Sequence, residues 1–75
     1  PLEEAALVSV PDEERELLAH VAALPEKLRT VIHLHYYEGY SVEEIASLLG
    51  VTVSAVKMRM KRGREALRIR LEGAE

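Results

Sequence analysis

"SVEEIASLLGVTVSAVKMRMKRGREALR", residues 41–68, opens acidic and apolar and closes with a basic residue at nearly every second position. Two helices joined by a tight turn account for that pattern. Ser41, followed three residues on by Glu44, forms a capping box in which hydroxyl and carboxylate each take up a backbone N–H. The cap alone is worth about 1 kcal/mol. Val42, Ile45, Ala46 and Leu49 follow at i, i+3, i+4 and i+7, one face of a helix. Gly50 ends that helix. Thr52 can cap a second helix that runs to about Leu71 and spans about 28 Å at 1.5 Å per residue.

A helix-turn-helix needs a small residue where its two helices touch, a turn residue that accepts positive φ, and an apolar anchor on the second helix. Ala46, Gly50 and Val56 supply these at spacings of four and six. Ile45, Leu49 and Val51 complete the small core. On a wheel of 100° per residue, Val53, Val56, Met60, Gly63, Leu67 and Leu71 share a sector of about 80°. Opposite lie Ser54, Lys57, Met58, Lys61, Glu65 and Arg68, with Arg62 and Arg64 at the margins. The last helix is therefore expected to bury one side and to show a mainly cationic one. Free N–H groups near Thr52 to Ala55 favour an anion. A basic helix of this width fits the major groove of DNA, about 12 Å across. Arg59 and Arg70 fall beside the buried sector and are expected to pair with Glu43 or Glu44. Glu65 is expected to pair with Lys61 one turn away.

Upstream the chain reads as two further helices. Pro11 and the acidic run Asp12, Glu13 and Glu14 suit a helix start, and Leu17, Leu18, Val21 and Leu24 form its stripe. Pro25 starts the next helix. Leu28, Val31, Ile32 and Tyr36 share its inner face, and Gly39 stops it in the left-handed region. Residues 1–10 read as a linker or frayed segment and residues 11–75 as the domain. The fold class is all-α: a compact four-helix domain containing a helix-turn-helix.

The totals narrow the function. The net charge of −3 over 75 residues hides a split. Residues 1–50 hold ten acids and three bases, residues 51–75 three acids and seven bases. Such asymmetry points to a nucleic-acid surface at the basic end. No cysteine is present, so no disulfide or thiolate metal site is available. No apolar run approaches the roughly 20 residues of a membrane span, and no signal segment opens the chain. An opening Pro1 in place of Met reads as a piece cut from something longer. His33 and His35, at i and i+2, point to different sides of a helix and do not make a metal pair. His35 reads as a hydrogen-bonded interior histidine. Ser41 is a cap with no base partner, so nothing supports an enzyme.

Residues 24–68, "LPEKLRTVIHLHYYEGYSVEEIASLLGVTVSAVKMRMKRGREALR", resemble region 4 of bacterial sigma factors, in the extracytoplasmic-function (ECF) group. The pieces "LPEKLR", "YYEGYSVEEIASLLGV" and "AVKMRMKRGREALR", in this order, carry the resemblance. It implies recognition of the promoter −35 element in double-stranded DNA, while held on core RNA polymerase through the β-flap. It also implies a cytoplasmic location, no cofactor and an anti-sigma factor as a further partner. Positions matching Lys57, Met58, Lys61 and Arg62 face bases or nearby backbone in that family; those matching Thr52, Ser54 and Arg64 contact phosphate. Two departures stand out. Met58 replaces a small hydroxyl residue, and Gly63 replaces an alanine, which weakens the helix by up to about 1 kcal/mol. No counterpart of region 2, which reads the −10 element, is present. Two rival readings remain: the helix-turn-helix effector domain of another regulator, and a protein-interaction module whose basic helix docks on an acidic partner.

Overall fold

A computed structural model describes residues 12–73. Its elements are α1 (Asp12–Ala22), α2 (Glu26–Ile32) continued by a π-helical turn (His33–Tyr37), α3 (Val42–Leu49) and α4 (Val53–Glu72). Among the described residues there is no strand. The expected linker over residues 1–10 and the helix start at Pro11 lie outside the described residues.

α1 starts with acids at its positive end, Asp12, Glu13 and Glu14, and carries His20 in its last turn. It closes with Leu24 N–H on the Val21 carbonyl at 3.1 Å. Only its last turn and the residues just beyond it are buried, through Val21 and Leu24. The stripe expected to include Leu17 and Leu18 is therefore shorter than the sequence pattern: both are more than one-third exposed.

Pro25 caps α2 in the extended region, at φ −54 and ψ 145, and its carbonyl accepts from Leu28 and Arg29. Val31 and Ile32 are wholly buried. After Ile32 the helix widens into the π turn, with Glu38 N–H reaching back to the His33 carbonyl at 3.1 Å. The widened turn changes the phase of every residue after it. Tyr36, expected on the inner face with Leu28, turns out to be 54% exposed. His35 is half-buried and donates from Nδ1 to the Tyr40 carbonyl at 2.8 Å, while His33 Nε2 meets Glu38 Oε1 at 3.2 Å. The two imidazoles thus serve separate bonds. Gly39 takes φ 77, the expected left-handed stop.

The capping box of α3 is complete: Ser41 N–H donates to Glu44 Oε1 at 2.9 Å and Glu44 N–H to Ser41 Oγ at 3.1 Å. Gly50 stands at φ 67, where a Cβ would meet no neighbour, so its role is conformational and not steric. Thr52 Oγ1 accepts from Ala55 N–H at 3.0 Å and starts α4.

Val21, Leu24, Val31, Ile32, Ile45, Ala46, Val56 and Met60 form one core. All four helices contribute to it, and α4 packs against each of the other three. Of the sector expected to be buried on α4, Val56, Met60 and Gly63 are buried and Val53 and Leu67 half-buried. Leu71 is 46% exposed, because it lies near the carboxyl end of α4, beyond that core.

Gly63 has a packing role that its low helix propensity conceals. A Cβ there would fall 2.8 Å from Ile32 Cγ1 and 3.0 Å from Ile32 Cδ1, so α2 and α4 approach nearly to backbone contact. Ile32 is buried and β-branched and has little room to yield. Overpacking costs about 1–3 kcal/mol, against a propensity gain of up to about 1 kcal/mol. Gly63→Ala is therefore expected to lower the unfolding midpoint in urea. A raised midpoint would show that propensity wins and that the helix contact is loose.

Candidate nucleic-acid interface

The outward face of α4 is set by what its other face hides. Val56 is 0% and Met60 3% exposed, which leaves Lys57 and Lys61 on the solvent side of the helix. Thr52, Ser54, Lys57, Met58, Lys61, Arg62 and Arg64 are all exposed. They extend from the amino end of α4 over three turns. Met58, 54% exposed, is the apolar member. The first N–H groups of a helix have no partner within it, so this end also offers donors and a positive dipole.

Which cations are free is decided by ion pairs that the wheel could not specify. Arg68 donates from Nη1 to both carboxylate oxygens of Glu72, at 2.7 and 3.0 Å, and from Nη2 to Glu65. The expected partner of Glu65 was Lys61. Arg68 takes the carboxylate instead, because a planar fork engages two carboxylates at i−3 and i+4 together. The Arg68 bond and charge hold Glu65 below the usual carboxylate range, with Lys61 adding slightly, and Glu65 in turn raises Arg68. Arg68 is thereby committed along its own helix.

Among the described residues the other two expected pairings, of Arg59 and Arg70 with Glu43 or Glu44, are not formed either. Glu44 is used in its capping box. Arg70 donates from Nε to His20 Nδ1 at 3.3 Å and ties the end of α4 to α1. Arg59 is half-buried and, among the described residues, forms no ion pair with Glu43. The π turn adds a contact with no sequence signal: Arg64 Nη1 lies 3.5 Å from the exposed Tyr36 hydroxyl. The 65, 68 and 72 spacing, by contrast, could have been read from the chain.

A model of the family described as Sigma-70, region 4, matches residues 14–67. The chain belongs to this family. Its relatives among curated proteins include ECF RNA polymerase sigma factor SigW of Bacillus subtilis, 43% identical over 70 residues, or 93% of this chain and 37% of the relative. Probable RNA polymerase sigma factor RfaY of Xanthomonas campestris is 40% identical over 68 residues, 91% of this chain and 16% of its own. ECF RNA polymerase sigma factor SigE of Mycolicibacterium smegmatis is 42% identical over 53 residues, 71% of this chain and 21% of its own. This region 4 chain thus spans well under half the length of each relative. The family match covers α2 and α3 whole, most of α1, and α4 as far as residue 67.

The electrostatics of the domain give a pH dependence of definite sign. The Ser41 backbone and hydroxyl bonds lower Glu44, and Arg68 lowers Glu65. A carboxylate depressed in the folded state stabilises the fold at neutral pH, and that contribution is lost as pH falls. Stability is expected to drop below about pH 4, and Glu44→Gln should flatten that part of the curve. An unchanged acid limb in Glu44→Gln would remove the capping box as its source.

Proposed function

We propose that this chain is the −35-reading domain of an ECF-type RNA polymerase sigma factor. It binds double-stranded promoter DNA through α4 lying in the major groove. One observation carries the reading: Lys57, Lys61 and Arg62 are all exposed on α4, outside the face buried through Val56 and Met60. Lys57, Lys61 and Arg62 are the base-reading or near-backbone donors, suited to phosphate or to the acceptor edge of guanine. Met58 touches a thymine methyl. Thr52, Ser54 and Arg64 hold phosphates, Thr52 and Ser54 beside the free N–H groups of the helix start and Arg64 from the edge near Tyr36. α3 crosses the DNA backbone, as the first helix of a helix-turn-helix does. Binding at a groove is non-enzymatic and needs no cofactor.

Core RNA polymerase is the protein partner in this proposal, held through its β-flap, and the site of action is the cytoplasm. A mostly apolar groove of about 380 Å³ between α1 and α2, lined by Leu18, Ala22 and Leu34 among others, supports such a contact. None of its lining residues belongs to α4. A partner seated there leaves the reading face open.

Lys61→Ala and Arg62→Ala are each expected to weaken binding to a −35 duplex by about 1–3 kcal/mol, with discrimination relaxed at the base each one reads. Binding should also fall steeply with salt, by about 0.9 log units per phosphate contact per log unit of salt. Fluorescence anisotropy across a salt series checks both. Affinity unchanged in both variants would remove the reading face.

A further inference from the structure

Six residues of α4 recur at alternating spacings of three and four: Ala55, Met58, Arg62, Glu65, Ile69 and Glu72. That spacing lines the six along one side of α4 as a seam in which Ala55, Met58 and Ile69 are the apolar members, distinct from the line of Val56, Met60 and Gly63 that the core uses. Ile69 is 60% and Met58 54% exposed, and a shallow groove of about 460 Å³ joins them past Arg62 and Glu65. A large apolar residue therefore stands toward each end of the groove, with Arg62 and Glu65 between them on the seam and Lys61 and Ala66 beside it.

We propose that this seam pairs with a second copy of itself, the two α4 helices running antiparallel. In the two-fold register Met58 meets Ile69 of the second copy and Arg62 meets Glu65 of the second copy. Ala55 meets Glu72, and every contact occurs twice, as an isologous interface requires. The direction follows from charge. A parallel pair would set Arg62 against Arg62 and Glu65 against Glu65, whereas the antiparallel one sets opposite charges together. Glu65 already accepts from Arg68, which keeps Glu72 as its second carboxylate if Glu65 turns to the other copy.

The pairing is weak by construction. α4 carries seven bases and two acids, so two copies repel at a distance. Salt screens that repulsion, and self-association strengthens as salt rises, opposite in sign to DNA binding. Pairing also covers Met58 and Arg62. A domain paired this way cannot read a groove with the same residues, and the paired form is a store of unbound domain.

Single thiols test the register, since the chain has no cysteine of its own. Met58→Cys and Ile69→Cys chains, both altered at exposed positions and checked for fold by circular dichroism, are mixed and oxidised at high concentration without DNA. The mixed 58-to-69 disulfide is expected to exceed the statistical share several-fold, and more so at high salt. A statistical mixture, or a dominant 58-to-58 product, overturns the proposal. In sedimentation, Arg62→Glu should abolish association, and Arg62→Glu with Glu65→Arg should restore it. Equal behaviour of parent, single and double variants also overturns it. Because no DNA is present, these results do not depend on the −35 reading.

Discussion

The close seating of α4 on α2 and α3 sets everything else in this domain. Gly63 lets α4 come within a side-chain atom of Ile32, and Val56 and Met60 share the core with Ile45 and Ala46. Packing at that distance fixes the rotation of the helix about its axis. One residue of slip would turn it by about 100° and carry Lys57 and Lys61 off the outer face. The capacity to present a basic surface is thus a consequence of packing. Charge alone would not produce it, because the whole chain is net acidic.

The polar interactions have a different task. Exposed ion pairs such as Arg68 with Glu65 and Glu72 add little to stability. They determine which cations remain available. With Arg68 bound along its own helix and Arg70 turned to His20, the free charge of α4 concentrates toward its amino half. That is where the capped start of the helix also offers unpaired N–H groups. The run of uncommitted cations is shorter than a count of lysines and arginines suggests.

Local chemistry was legible in the chain wherever two or three neighbouring residues decide the outcome. Ser41 with Glu44, Gly50 in the left-handed region and Thr52 at the start of α4 all stand as the spacing implies. The inner and outer faces of the helix-turn-helix were legible too, because a long amphipathic period constrains them. The π turn was not, since nothing in "HLHYY" separates a widened turn from an α-helical one, and Tyr36 within it is exposed. Leu17, Leu18 and Leu71 follow the helical period but lie past the ends of the packed core, so periodicity overstated their burial. Gly63 looked like a weakness because helix propensity is local, whereas its partner Ile32 lies far away in sequence. Arg59, Glu65 and Arg70 were placed on the correct sides of the wheel, but a wheel does not choose between competing partners.

A backbone-amide NMR titration of the labelled chain with a −35 duplex maps which face of the domain meets DNA. The largest shifts are expected at Thr52, Ser54, Lys57, Met58, Lys61, Arg62 and Arg64, with Val21 and Val31 nearly silent. Shifts gathered on α1 and α2, with the outer side of α4 unmoved at saturation, would contradict that expectation.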